Sequence, residues 1–277
     1  MTTKTVLITG ASSGIGHATA QHFHQHGWNV VATMRTPDDS ELHQLDNTLV
    51  TRLDVTDIDS IDTAVQAALD RFGGIDVLVN NAGYDTFGPL EAVPRDAMVR
   101  QIDTNLVGVL DVTRAVLPTM RTRGEGVVIN ISSVAGQMTF PFNSLYHATK
   151  FGLEGATESL AFELGGIGIR VKIIQPGSIA TQFWGGSLDF HDDPDLAEYR
   201  TMMDAISKAV AHLQENHHAA SPPSVVAEVI YRAATDGTDT IRYRAGDNAD
   251  AFFGLRDGKT DEEYIAATRQ QYGISPG

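Results

Sequence analysis

A doubly wound α/β sandwich on a parallel sheet, with helices on both faces, is the fold the sequence predicts, and three observations predict it. Short runs rich in Val, Ile and Leu alternate with longer amphipathic or polar segments along the chain. The runs are continuously apolar rather than alternating, as in strands buried on both faces. No Ser/Gly/Pro-rich linker, low-complexity tract or internal repeat interrupts the 277 residues, so one domain is expected.

The strand-like runs are Thr5 to Thr9, Asn29 to Met34, Leu49 to Val55, Asp76 to Ala82, Val127 to Ser132 and Arg170 to Gln175. Between them, Gly14 to His26, Asp57 to Phe72, Arg95 to Arg121 and Ser144 to Leu164 are long enough to cross over a sheet as helices. From about Gln182 to Ala220 the pattern degrades. Trp184, Gly185 and Gly186 lead into the acidic run Asp192, Asp193, Pro194, Asp195, then a helix from Leu196 to His212; the segment reads as a mobile insertion over the site. A late strand, Thr240 to Ala245, and a helix from Asp261 to Gln271 follow. Folds of this class bind ligands beyond the carboxyl ends of their strands, so the chemistry is expected just after Thr9, Met34, Val55, Ala82, Ile131 and Gln175.

Composition narrows the partners. Lys and Arg number 20 against 35 Asp and Glu, a net charge of −15, which opposes general binding to nucleic acid or an anionic membrane surface. With no cysteine, disulfides, thiolate metal sites and a cysteine nucleophile are all excluded. There is neither a secretory-signal pattern nor an apolar run of membrane-spanning length, so a soluble cytoplasmic protein is expected. His22, His24 and His26 resemble a metal tract, but they close the first helix away from the expected site and lack further ligands; a solvated helix terminus is the better account, and no metal site is expected. His217 and His218, in a loop before Pro222 and Pro223, are read the same way.

Immediately after the first strand, Thr9-Gly10-Ala11-Ser12-Ser13-Gly14-Ile15-Gly16 opens a helix. Glycines allow a sharp turn and close approach to a pyrophosphate, whose charge the helix N-terminus favours. Three residues separate Gly10 from Gly14, unlike the common dinucleotide fingerprint, and no Lys follows the last glycine as in a Walker loop. Asn80-Asn81-Ala82-Gly83 closes the fourth strand, Ser132 and Ser133 close the fifth, and Tyr146-His147-Ala148-Thr149-Lys150 follows on a helix. Tyr146 and Lys150, four apart, share one helix face; an ammonium about 4 Å from a phenol interacts by about 4 kcal/mol at an effective dielectric near 20, enough to lower a phenolic pKa by about three units.

In this order the segments resemble the short-chain dehydrogenase/reductase family, with its Rossmann-type fold, over nearly the whole chain. The resemblance implies that Tyr146 is the acid/base, and that Lys150 lowers its pKa and bonds the nicotinamide ribose. It further implies that Ser133, thirteen positions before Tyr146, polarises the carbonyl, with Ser132 the structural neighbour, and that Asn105 supports a proton relay through water to Lys150. The cofactor-binding set it implies is Gly10, Ser12, Ser13, Gly14, Ile15, Gly16, Arg35, Asp54, Val55, Asn81, Ala82, Gly83, Tyr146, Lys150, Pro176, Gly177, Ile179 and Thr181. Within it, Asp54 accepts from the adenine amino group and Pro176 to Thr181 hold the carboxamide; Asp57 is the better helix cap.

Cofactor choice is read at the end of the second strand. An NAD site places a carboxylate there, whereas Met34 occupies the position and Arg35 follows, so NADP(H) is expected despite Asp38 and Asp39 nearby. The expected reaction is hydride transfer between nicotinamide and a ketone or secondary alcohol. The resemblance places the segments carrying Phe140, Pro141, Phe142, Phe183 and Trp184 around the substrate cleft, which implies an apolar or ring-bearing substrate; the alternative is that these side chains belong to the core. The ending Thr33-Met34-Arg35 and the longer C-terminal half are similar to the hydroxysteroid- and retinol-dehydrogenase-like branch, and the resemblance implies a homodimer or homotetramer. A non-catalytic dinucleotide sensor on the same fold is the alternative, against which the intact Asn105, Ser133, Tyr146 and Lys150 count. An extended-branch epimerase or dehydratase would need another glycine spacing and a larger substrate domain.

Overall fold

Three consecutive apolar side chains, Val6, Leu7 and Ile8, bury Thr5–Ile8 (β1) on both faces. The computed structural model describes residues 3–181, 187–215 and 220–274. Around β1 lie Asn29–Met34 (β2), Thr48–Arg52 (β3), Val77–Asn80 (β4), Gly126–Ile131 (β6), Ile169–Pro176 (β7) and Arg242–Ala245 (β9). They form one parallel sheet in the order β3-β2-β1-β4-β6-β7-β9. The chain reverses its direction of winding between β1 and β4, so the crevice beyond those two strands is the natural ligand site.

Successive side chains leave opposite faces of a strand, and the two cores divide accordingly. Val6, Ile8, Val30 and Ala32 pack on one face with Phe23 from Gly14–Gln25 (α1) and Val226 and Ile230 from Pro223–Thr235 (α7). Leu7, Val31, Leu78 and Val128 pack on the other with Ile61, Ala64 and Val65 of Ile58–Phe72 (α2) and Val112, Val116 and Met120 of Gly108–Arg123 (α4). Asp57 caps α2, its carboxylate accepting from the Ser60 N–H at 3.1 Å. The long helix Ser144–Gly165 (α5) is fixed to the sheet by a buried polar ladder: Asn80 donates to Asn130 at 2.9 Å, and Asn130 to Thr157 of α5 at 2.8 Å.

Three features differ from expectation. The single helix expected over Arg95 to Arg121 is Arg95–Ile102 (α3), a π-turn at Asp103–Val107, and α4. Past the sixth strand, Leu188–Phe190 (β8) pairs in parallel with Asp85–Phe87 (β5), two strands the pattern did not suggest, while the helix expected over Leu196 to His212 is Ala197–Glu215 (α6). Finally, α7 and Ala249–Arg256 (α8) precede the closing helix Asp261–Gln271 (α9), whose N-terminus carries the Thr260/Glu263 capping box. Phe183, Trp184, Gly185 and Gly186, and the pair His217 and His218, lie outside the described residues.

Candidate active site

Steric exclusion builds the turn after β1. Gly10 adopts φ +67°, and a Cβ there would stand 2.9 Å from the Ala82 Cα, while one on Gly16 would strike the Gly10 carbonyl and come within 2.5 Å of Asn81 Nδ2. Asn81 locks the approach from the other side, donating to the carbonyls of Thr9 at 2.9 Å and Gly10 at 3.1 Å. The Thr9 hydroxyl accepts from the N–H groups of Asn81 and Ala82, each at 3.0 Å. Ser12 and Ser13 are exposed, and Ser13 occupies the cap position of α1 without its side chain capping the helix. The first-turn amides of α1 thus remain for an anionic group. Ile15 is half-buried against the core beneath them.

Across the crevice, the Tyr146 phenol bonds the Ser133 hydroxyl, and Lys150 Nζ donates to the Ile131 carbonyl at 2.8 Å and stands 5.5 Å from the Tyr146 ring centre. Both α5 side chains are buried. The two adjacent serines part company here. Ser132 turns inward and donates to Glu154 at 2.8 Å, in a network with Gln175 and Arg242, so Ser133 is the hydroxyl in the cleft. Asn105 sits on the π-turn, fully buried; its Oδ1 accepts from the Tyr84 N–H at 3.1 Å and its Nδ2 donates to the Tyr84 carbonyl at 2.7 Å. A Cβ on Gly83 would meet Asn105 Oδ1 at 3.1 Å, so Gly83 lets this segment close on the π-turn.

Electrostatics correct one expectation. Burial first, and then the charge of Asp85, push the Tyr146 phenol above its ordinary pKa, and the Ser133 bond opposes them only in part. In the chain alone, burial thus favours the protonated phenol. Burial likewise brings Lys150 down to about 8, against the raising influence of Asp85 and Glu154. The arrangement suits a group that donates a proton to an oxygen gaining negative charge.

Residues 4–190 match the family model described as short chain dehydrogenase, well over half of the chain. The chain belongs to the short-chain dehydrogenase family. It is 40% identical over 242 residues to an uncharacterized oxidoreductase of Schizosaccharomyces pombe, covering 87% of this chain and all of that one. It is 35% identical to retinol dehydrogenase 8 of Bos taurus, covering 87% and 81% of the two chains. Among solved structures, a short-chain dehydrogenase from Streptomyces avermitilis superposes with a TM-score of 0.80 at 33% identity, covering 98% of this chain and 96% of that one.

In this short-chain dehydrogenase the remaining expected residues fall around the same crevice. Arg35 is exposed just past β2, whereas Met34 is buried in the core. Asp54, past β3, is half-buried and accepts from the Thr56 N–H at 3.0 Å and hydroxyl at 2.8 Å; Val55 lies under the start of α4, where Gly108 approaches its carbonyl. Pro176 ends β7, and the Gly177 N–H donates to the Ala245 carbonyl at 2.9 Å. Ile179 is buried, and a Cβ on Gly14 would meet Thr181 Cγ2 at 3.1 Å, so the segment after β7 folds back over the glycine turn.

Other contributors were missed. Asn248 accepts from the Ser178 N–H at 2.9 Å, and Ser221 pairs with Ile179, together fixing the segment after β7. His147, held neutral by burial, receives the Phe140 N–H at Nε2 and faces the Ala135 carbonyl through Nδ1, which clamps the Ser133 loop onto α5. A hydroxyl-bearing loop facing a helical Tyr-His pair was the available signal. Of the aromatics, Phe140 packs into a satellite core with Phe252, while Phe142 meets Phe87 and Tyr199 beside the β5–β8 pair. His22 of α1 and His26 just past its end pack against Tyr231 of α7, and no cluster of three metal-ligating side chains occurs among the described residues. No helix among them is long and apolar enough to cross a membrane.

Proposed function

We propose that this oxidoreductase is NADP(H)-dependent and interconverts ketones and secondary alcohols, with apolar or ring-bearing substrates. The observation that carries the reading is the half-buried Ser133 hydroxyl bonded to the buried Tyr146, with buried Lys150 beside it and Asn105 behind, next to a glycine turn whose helix is not capped by the Ser13 side chain. The dinucleotide fits this crevice: Gly10, Ser12, Ser13, Gly14, Ile15 and Gly16 would hold the pyrophosphate, Arg35 a 2′-phosphate, Asp54 and Val55 the adenine, Asn81, Ala82 and Gly83 the ribose side, and Pro176, Gly177, Ile179 and Thr181 the carboxamide. When bound, it supplies or accepts the hydride. Ser133 and Tyr146 orient the substrate oxygen, the Tyr146 phenol gives or takes its proton, and Lys150 steadies the phenolate that results. Asn105 is the inner end of the relay toward Lys150.

The NADP(H) preference is supported by an exposed cation at Arg35 with no carboxylate at position 34. Aromatic side chains Phe87, Phe142, Phe190 and Tyr199 support an apolar substrate. Part of the proposed lid, from residue 187 to 215, is described; the β8 strand ties its beginning to β5, which leaves α6 as the portion that closes. Exposed Phe151 and Phe162, three turns apart on α5, support a homo-oligomer, which light scattering would test. NADPH and NADH consumption measured in parallel over steroid, aromatic, aliphatic and 3-oxoacyl ketones tests the function. Consumption with no ketone, alongside tight dinucleotide binding, would favour a sensor instead.

A further inference from the structure

A carboxylate with no exposure to solvent stands on β5, which packs against the α5 helix that carries Tyr146 and Lys150. Asp85, the first residue of β5, is fully buried, and burial pushes its pKa up to about 7 against the pull of Lys150. Its Oδ2 accepts from Asn143 Nδ2 at 3.1 Å, and its Oδ1 has no hydrogen-bond partner among the described residues. Asn143 is delivered by a strained turn. The preceding Phe142 adopts φ +61°, a left-handed conformation that a bulky side chain disfavours, and it is pinned there by the Gly88 N–H donating to its carbonyl at 2.9 Å. The His147 N–H then donates to the Asn143 carbonyl at 3.0 Å, tying the turn to α5.

The other charges near β5 are already engaged. Arg100 of α3 pairs with Asp96 and, at 3.6 Å, with Asp189 of β8; His191 also faces Asp189; Glu154, one turn beyond Lys150, pairs with Arg242. Lys150 is the cation whose charge Asp85 feels, and Tyr146 is the acid whose ionisation it opposes. Because Asp85 is closed off from the cleft, a substrate does not reach it, and its influence passes through its neighbours.

We propose that Asp85, held by Asn143, is a positioning residue that keeps the Lys150 ammonium charged inside a site shielded from water. The proposal rests on the reading of Tyr146 and Lys150 as the reacting pair. Burial alone drives a lysine toward the neutral amine, and a neutral amine cannot steady a phenolate; a fixed carboxylate opposes that loss. Strain at Phe142 and an unpartnered carboxylate oxygen both cost stability, which accords with a cluster retained for chemistry rather than for packing.

Carbon-13 lysine NMR across a pH series tests this, with the Lys150 signal assigned by its loss in Lys150→Arg. In Asp85→Asn the Lys150 midpoint should fall by about one unit or more, and the alkaline limb of kcat/KM should move the same way. Asp85→Glu should restore most of both. Asn143→Leu, which removes the donor but keeps the acid, should give a smaller shift in the same direction, and it carries the test if Asp85→Asn does not fold. An unmoved Lys150 midpoint in folded variants overturns the proposal, including where turnover is lost. A shifted midpoint together with full turnover in Tyr146→Phe would uphold the Asp85–Lys150 coupling while removing Tyr146 as the proton carrier.

Discussion

The two sides of the crevice are held by different physics. On the nucleotide side, the main chain is held close: Gly10 and Gly16 leave no space for a Cβ, and the short side chains of Asn81 and Thr9 bond main-chain groups across the β1–β4 pair. On the substrate side, β5 meets β8 from a distant part of the chain, and the contacts are side chain on side chain, as in Phe142 with Tyr199 and Tyr199 Oη with Glu91 at 3.2 Å. A site defined by excluded volume tolerates little change, whereas one defined by exposed side chains can be re-lined without disturbing the sheet. On the function proposed above, cofactor binding and substrate choice are therefore separable.

Substitutions can break that separation, and the largest effect is expected at its junction. Tyr146→Phe should lower turnover by about 10²- to 10⁴-fold while dinucleotide affinity, measured by calorimetry, stays within a few fold. A parallel loss of affinity would mean that the phenol belongs to both sides. Gly16→Ala attacks the nucleotide side alone; the added methyl overlaps the Gly10 carbonyl and should cost about 1–3 kcal/mol, read as a lowered Tm, with dinucleotide binding weakened about tenfold or more. Unchanged melting and binding would show that the turn can relax.

What could be read in advance follows the same divide. Strand positions and the glycine turn are written in local patterns, and β2 and α9 fall where the pattern places them. Asp85–Phe87 and Leu188–Phe190 are three residues each, too short for a period, and they become strands only because they meet. That Ser133, Tyr146 and Lys150 come together, with Asn105 beside Thr149 of the same helix, was readable from their order along the chain. Asp85, Asn143 and His147 were not, because a buried polar group's role depends on what packs around it. The direction of the Tyr146 shift was missed for the same reason: spacing on a helix says nothing of burial.

Smaller effects sharpen the comparison. Arg35→Ala should reduce the kcat/KM ratio of NADPH over NADH about tenfold, chiefly through NADPH, as expected for a charge-assisted contact to a phosphate. An unchanged ratio would place 2′-phosphate recognition elsewhere. On the substrate side, hydrogen exchange should show α6 gaining protection only with cofactor and a substrate analogue together, while β8 is protected throughout by its pairing with β5. Equal protection of α6 in the free enzyme would make it a fixed wall.

The π-turn at Asp103–Val107 also sets the phase of two helices. An α-helix advances about 100° per residue, so a stripe running from Ala97 to Met120 through an unbroken helix would drift about 140° out of line. One surplus residue wound into the π-turn removes about 100° of that drift, and Ala97, Gln101, Asn105, Val109, Val112, Val116 and Met120 are all buried. The irregularity that aims Asn105 at the Tyr84 backbone is thus a phase correction as well. Deleting a single residue between 103 and 107 would straighten the helix and rotate one half of its apolar stripe toward solvent.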